Sequence, residues 1–279
     1  MTAGAEIRPM RAADVPAAAE IMRRGEWGDR TTFLAWAVGH PSCHPVVADL
    51  DGRIIGTGTA TAYGSVGWVG TIFVEVDSRG QGLGSALTRA VIADLEASGS
   101  RTLLLIATDR GRPLYEREGF TVQTEHRRFV APSSTDIRPL ARVRPFRPVD
   151  LTAILALDRE ANGQDRASVL RALATPEAAQ VATASDDTVR GFLLRGPWGG
   201  AALVAPDADD AVALLDWRRG RAGPDGRVAT GLPGLNASGR DRLVAQGWVE
   251  EPGGTRMIRG TPVDWRPGSV WGQLNGALG

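Results

Sequence analysis

The chain has 279 residues, 43% of them hydrophobic, and its 32 basic residues balance its 32 acidic ones. That length suits two domains better than one, and zero formal net charge argues against a protein that works mainly by binding nucleic acid or anionic membrane through its overall field. Every basic residue is Arg, which excludes Schiff-base and lysine-nucleophile chemistry, and the lone Cys43 excludes an intrachain disulfide.

The opening stretch becomes charged at once and offers no apolar signal core. No window approaches the roughly 18 unbroken apolar residues that a membrane helix requires, so a cytoplasmic protein without membrane partners is expected. In chain order, the pattern predicts a strand at 6–10, a helix from 14 and a second helix near 30–38. Asp14 stands where a helix N-cap would. Strands follow near 45–50, 53–63 and 66–76, then a helix at 83–98 on which Leu83, Leu87, Val91 and Leu95 form one apolar face closed by Gly99. A strand at 102–107, a short helix at 112–118 and a strand at 120–130 complete an α+β plan with a mixed sheet.

The same opening then returns. Ile7-Arg8-Pro9 with Asp14 is matched by Val143-Arg144-Pro145 with Asp150, at a constant offset of 136 residues. Gly119-Phe120 is echoed later by Gly247-Trp248. Two echoes in the right order indicate a tandem repeat: a domain over 1–133, a linker around Ala131–Thr135, and a second domain over 137–279.

The chemistry-bearing segment runs from Thr71 to Ser85 and reads as strand, tight turn and helix start. Gly80, Gly82 and Gly84 let a ligand approach the backbone, and the N–H groups of the following helix favour an anion such as a pyrophosphate. A P-loop is excluded by the lack of Lys, and the spacing G-x-G-x-G is not that of a dinucleotide fingerprint. The Arg-led form, Arg79-Gly80-Gln81-Gly82-Leu83-Gly84, resembles the signature of the GCN5-related N-acetyltransferases. The following strand Leu103–Thr108 and the run Leu114-Tyr115-Glu116-Arg117-Glu118-Gly119-Phe120 resemble that family's next landmarks.

The resemblance covers roughly residues 6–130 and implies two tandem acetyltransferase-like domains, each with a mixed, mostly antiparallel twisted sheet flanked by helices. It implies that Phe73, Val74, Arg79, Gly80, Gln81, Gly82, Leu83 and Gly84 bind acetyl-CoA. A backbone N–H near Val74 would polarise the thioester, and Tyr115 would supply the proton to the departing thiolate. Glu75 is the candidate base, and Glu26 and Asp29 fall where the family's acceptor site lies. The implied activity is transfer of an acetyl group to an unidentified primary amine, with a small molecule favoured as acceptor and a protein lysine or an N-terminus left open. The reading from another class is a non-catalytic acyl-CoA sensor.

His40, His44 and His126 lack metal-ligand spacing, so no metal is expected. The run Arg138, Arg142, Arg144 and Arg147 reads as linker and strand surface rather than as a phosphate or nucleic-acid face. In the second half, the turn Pro206–Asp210 carries three aspartates and no glycine, and Leu243 stands where the first half has Tyr115. This copy is therefore expected to lack a cofactor site of its own. Sheet edges leave room for a homodimer, which no motif specifies.

Overall fold

The computed structural model describes residues 4–134, 142–223 and 226–279. Arg138 and Thr135 of the sequence reading lie outside the described residues. The chain divides into two compact units: Met1–Thr121 with Met257–Pro262 and Gly276–Gly279, and Val122–Arg256 with Val263–Asn275.

Unit 1 contains β1 (Glu6–Pro9), α1 (Val15–Arg24), α2 (Thr31–Gly39), β2 (Cys43–Leu50), β3 (Arg53–Tyr63), β4 (Val66–Val74), α3 (Leu83–Ala97), β5 (Thr102–Ala107) and α4 (Arg112–Arg117). Strands β1 to β4 pair antiparallel in sequence order. Strand β5 joins β4 in parallel, but only through Val66, Gly67 and Trp68. Beyond Trp68 the two strands are no longer paired. Leu83, Leu87, Val91 and Leu95 of α3 are all buried, and Leu87, Val91 and Leu95 meet one sheet face where Gly56, Gly58 and Gly67 leave room for them. Each such leucine contributes about 1.5–3 kcal/mol by leaving water. The opposite face carries Thr57, Thr59, Thr61 and Tyr63 of β3, all buried. Thr57 there lies 3.8 Å from Met22 Sδ of α1.

Asp14 is not a helix cap through its side chain. Its carboxylate takes the Arg11 N–H at 2.7 Å and the Arg8 guanidinium at 2.7 and 2.9 Å, and so closes the short 3-10 turn ahead of α1.

Unit 2 contains β6 (Thr121–Pro132, from Val122), β7 (Val143–Pro145), α5 (Leu151–Asn162), α6 (Ala167–Leu173), β8 (Ala179–Thr183), β9 (Val189–Arg195), β10 (Ala201–Val204), α7 (Ala208–Arg219), β11 (Arg227–Pro233), α8 (Ala237–Ala245), β12 (Val249–Gly260, to Arg256) and β13 (Val270–Gly272). Five strands form an antiparallel sheet in the order β13-β10-β9-β8-β7. Leu193, Leu203, Leu214, Leu215 and Trp271 anchor its core. Strand β11 pairs antiparallel with β6.

The repeat read from sequence is a repeat of geometry. Arg144 reaches Asp150 at 2.7 and 2.9 Å, and Asp150 takes the Arg147 N–H at 2.7 Å, as Arg8, Asp14 and Arg11 do in unit 1. The two Gly-aromatic turns also coincide. Phe120 N–H donates to Tyr115 O and Trp248 N–H to Leu243 O, both at 3.0 Å, with left-handed Gly119 and Gly247 between them.

Candidate functional site

Opening of the β4–β5 pair leaves a recess of about 510 Å³ in unit 1, with Ile72, Phe73 and Val74 on the β4 side and Thr108, Gly111 and Leu114 on the other. Its floor is the turn into α3, with Arg79, Gly80, Gly82, Leu83 and Gly84 all lining it. Gly80 (φ 77°) and Gly82 (φ 83°) take the left-handed conformation that brings successive N–H groups round to one side. The backbone N–H groups of residues 80–85 donate to no group among the described residues, and the first bond of α3 is Ala86 N–H to Gly82 O at 3.1 Å. A run of unused donors at a helix start is an anion cradle.

The surrounding charges agree. Arg79, Arg110 and Arg117 line the recess, and none of the three makes an ion pair among the described residues, whereas neighbouring Arg89 and Arg112 are paired with Glu118 and Glu116. Arg79 is aimed by its own contacts: its Nε donates to Val74 O at 3.0 Å, and its guanidinium lies 5.5 Å from the Phe73 ring centre.

Strand β4 is irregular where it leaves β5. The register against β3 shifts between Thr57 and Thr59, and Thr71 sits at φ 48°, an outlier for a β-branched residue. It is held there by Thr57 Oγ1, which donates to Thr71 O at 2.8 Å, and by a 2.5 Å contact between the Thr59 and Thr71 hydroxyls. Such strain gathers where a backbone has a task. Glu75 N–H is turned to β3, donating to Ile55 O at 2.9 Å. Alternation along the strand therefore turns Val74 N–H to the open side.

Tyr115 lies one residue beyond the recess wall, its ring 3.5 Å from the position a Gly111 Cβ would take and edge-on to Phe120 at 6.1 Å. Burial pushes its phenol up to about 12, and the hydroxyl makes no hydrogen bond among the described residues. Glu75 is not in the recess. Its carboxylate, 13% exposed, is taken by Arg53 at 2.8 Å and Arg24 at 3.8 Å. Gln81 is exposed and stands outside the lining, and Glu26 (φ 66°) and Asp29 are exposed as well. Asp29 is held below its ordinary carboxylate range chiefly by hydrogen bonds from Thr31.

The sequence reading missed Gly25, Trp27, Arg110 and Arg117, all of which line the recess. Trp27 meets Phe73 edge-on at 5.4 Å. A Cβ at Gly25 would come within 2.3 Å of the Phe73 ring, so this close approach demands glycine. His40 stacks on Trp36 at 4.4 Å and His44 pairs with Asp94 at 2.6 Å. His126 lies in unit 2, pushed down to about 4 by burial and then by Arg256.

In unit 2 the turn before α7 is filled from within. Asp207 Oδ1 accepts the N–H groups of Asp209 at 2.8 Å and Asp210 at 3.3 Å. Asp210 is paired with Arg190 at 2.9 Å and Arg142 at 3.5 Å. The Arg run at the second unit's start is thus spent on acids of that unit: Arg144 and Arg147 both reach Asp187.

Residues 14–120 match the acetyltransferase (GNAT) family. Over 243 residues the chain is 24% identical to the uncharacterised N-acetyltransferase YitH of Bacillus subtilis (strain 168), covering 83% of each. An acetyltransferase candidate from Pyrococcus horikoshii superposes with a TM-score of 0.85 at 20% identity, over 100% of this chain and 97% of that one. A tandem GNAT protein from the clavulanic acid biosynthesis pathway gives a TM-score of 0.65 at 14% identity, over 93% and 100%. No helix among the described residues is long and apolar enough to cross a membrane.

Proposed function

We propose, from the match of residues 14–120 to the acetyltransferase (GNAT) family, that this chain is a member of that family and that unit 1 transfers an acetyl group from acetyl-CoA to a small primary amine. The observation that carries the reading is the cradle of unused backbone donors at residues 80–85, ringed by three guanidiniums without carboxylate partners, at the foot of an open strand pair. A ligand rich in phosphate and long enough to thread between two strands fits that recess.

Acetyl-CoA supplies a thioester to the site. The amine nitrogen forms a bond to the acetyl carbon as the carbon–sulfur bond breaks, and the nitrogen's proton leaves to water. Val74 N–H, facing the open side, stabilises the negative charge that develops on the thioester oxygen; one such donor is worth about 2.7–4 kcal/mol. Tyr115 gives the proton that the departing sulfur needs. Burial keeps the phenol protonated across the working pH range but makes it the weaker acid, so it serves the departing sulfur as a hydrogen-bond donor. The proton it gives is returned by way of the water that took the amine's proton. Phe73 forms the wall against which the acetyl end rests, backed by Trp27. Glu75, bound by Arg53 and Arg24, assists proton removal through water rather than by touching the amine.

A second reading, a non-catalytic acyl-CoA sensor, has one observation in its favour. Among the described residues no carboxylate or imidazole lines the recess. The test is calorimetric titration of acetyl-CoA into the wild type and a Gly82→Glu variant, followed by release of free CoA thiol across a panel of small amines. Binding lost in the variant, with amine-dependent thiol release in the wild type, supports the enzyme. Binding with no release from any amine supports the sensor, and no binding ends both.

A further inference from the structure

One segment of unit 1 comes from far along the chain. Ala277, Leu278 and Gly279 are all buried, the first two at 1% and 0% exposure, on the sheet face that also carries Trp68, Gly70 and Phe73. Three contacts fix them there. A Cβ added to Gly70 would stand 2.3 Å from the Ala277 Cβ, so β4 and this segment touch as closely as a glycine allows. Tyr63 Oη donates to Leu278 O at 3.0 Å. Gly279 lies against the Trp68 indole, where an added Cβ would fall 2.6 Å from the ring.

The location gives the segment its meaning. Gly70 precedes the strained Thr71 and is paired with Thr59 of β3. On this face the recess is bounded by Gly25, Trp27 and Phe73 and stops short of Gly70. An extended peptide rises about 3.3 Å per residue, so an acceptor laid along β4 would need about 10 Å of free strand from Phe73 back through Gly70. The segment Ala277–Gly279 closes that stretch at its Gly70 end and covers the strand from there back to Trp68.

We propose that Ala277–Gly279 form a built-in wall of the acceptor side of unit 1, which confines the acceptor to a small amine entering beside the Trp27–Phe73 pair and excludes polypeptide amines laid along β4. The proposal rests on the acetyltransferase reading for its consequence in catalysis. The wall itself is a matter of access, and access is measurable without turnover.

Two displaced forms test it: a chain lacking residues 276–279, and full-length Gly70→Ala, whose new methyl pushes against Ala277. Each is made with and without Thr59→Cys, which places a thiol under the wall; the natural Cys43 is buried and its thiol is pushed up to about 11. Thermal unfolding identifies which displaced form is folded, and folded forms are compared. The expected result is at least a tenfold faster alkylation of the introduced thiol by a maleimide in the displaced form. At least a tenfold rise in kcat/KM for peptide amines relative to small amines accompanies it, with the acetyl-CoA Kd within twofold of wild type. Unchanged alkylation overturns the wall. Faster alkylation with unchanged selectivity overturns its role in specificity, as does a wild type that prefers peptides. A wild type that binds acetyl-CoA and acetylates no amine defeats the acetyltransferase reading instead, and the alkylation rates still decide whether the wall exists.

Discussion

Tyr115 owes its altered acidity to burial alone, which separates it from the side chains whose titration is set by a charged neighbour. In the proposed reaction, Tyr115→Phe removes the proton donor while keeping the ring that packs on Phe120. The expected loss in kcat is therefore about 10²-fold or more, with acetyl-CoA affinity within about twofold by calorimetry; an equal loss in both would assign the hydroxyl to binding. Glu75→Gln breaks ion pairs to Arg53 and Arg24 outside the recess. It should cost less than about tenfold in kcat/KM, well below a primary general base. His126 offers a test in unit 2 that is independent of chemistry. Its folded value is pushed down to about 4 from an ordinary 6.5, so between those values the unfolded chain binds the extra proton. Stability should thus be full above pH 6.5 and fall as the pH drops toward 4. Thermal unfolding of wild type and His126→Gln across that window should show the variant's midpoint depending less steeply on pH.

The element that concentrates function is the strand–turn–helix from β4 to α3, and its weak point is conformational. Gly82 caps α3 at φ 83° with nothing within 4 Å of an added Cβ, so Gly82→Ala meets strain rather than collision. A side chain in the left-handed region costs about 1–2 kcal/mol, and chemical denaturation should read a loss of that order while acetyl-CoA still binds. This element was legible in advance because its signals are local: a β-rich run, glycines at a turn and an apolar residue every fourth position on α3. The bulge at Thr71 was not legible. It arises from register against β3 and from a Thr59–Thr71 contact across strands, neither of which has a local signature. Trp27 was missed for a similar reason, since only the fold brings it to Phe73. Arg110 and Arg117 stood hidden among the many arginines of the sequence, and what singles them out is the lack of an acidic partner, which is a property of space.

At the scale of the whole chain, the two units share local frames and differ at the ends of their elements. The Arg–Asp clasp is reproduced at the same distances in both units, as is the Gly-aromatic turn, and both were visible as sequence echoes because each depends on few residues at fixed spacing. The packing of Gly276–Gly279 into unit 1 had no such echo. Divergence is clearest at the two helix starts. In unit 1 the turn into α3 leaves backbone N–H groups unused beside unpaired guanidiniums. In unit 2 the Asp207 carboxylate already occupies the N–H groups of Asp209 and Asp210, and Arg190 and Arg142 are neutralised by Asp210. A phosphate arriving there would have to displace an internal anion and face two more, and like charges about 4 Å apart repel by about 4 kcal/mol near a protein surface. Calorimetry should therefore return one acetyl-CoA per chain, falling to none in Gly82→Glu. Asp207→Ala removes one internal anion but leaves Asp209 and Asp210 in place, so it should weaken the α7 cap by about 0.5–2 kcal/mol without creating a second binding event. Two sites in the wild type, or one site surviving Gly82→Glu, would mean that unit 2 binds the ligand through a surface other than this helix start.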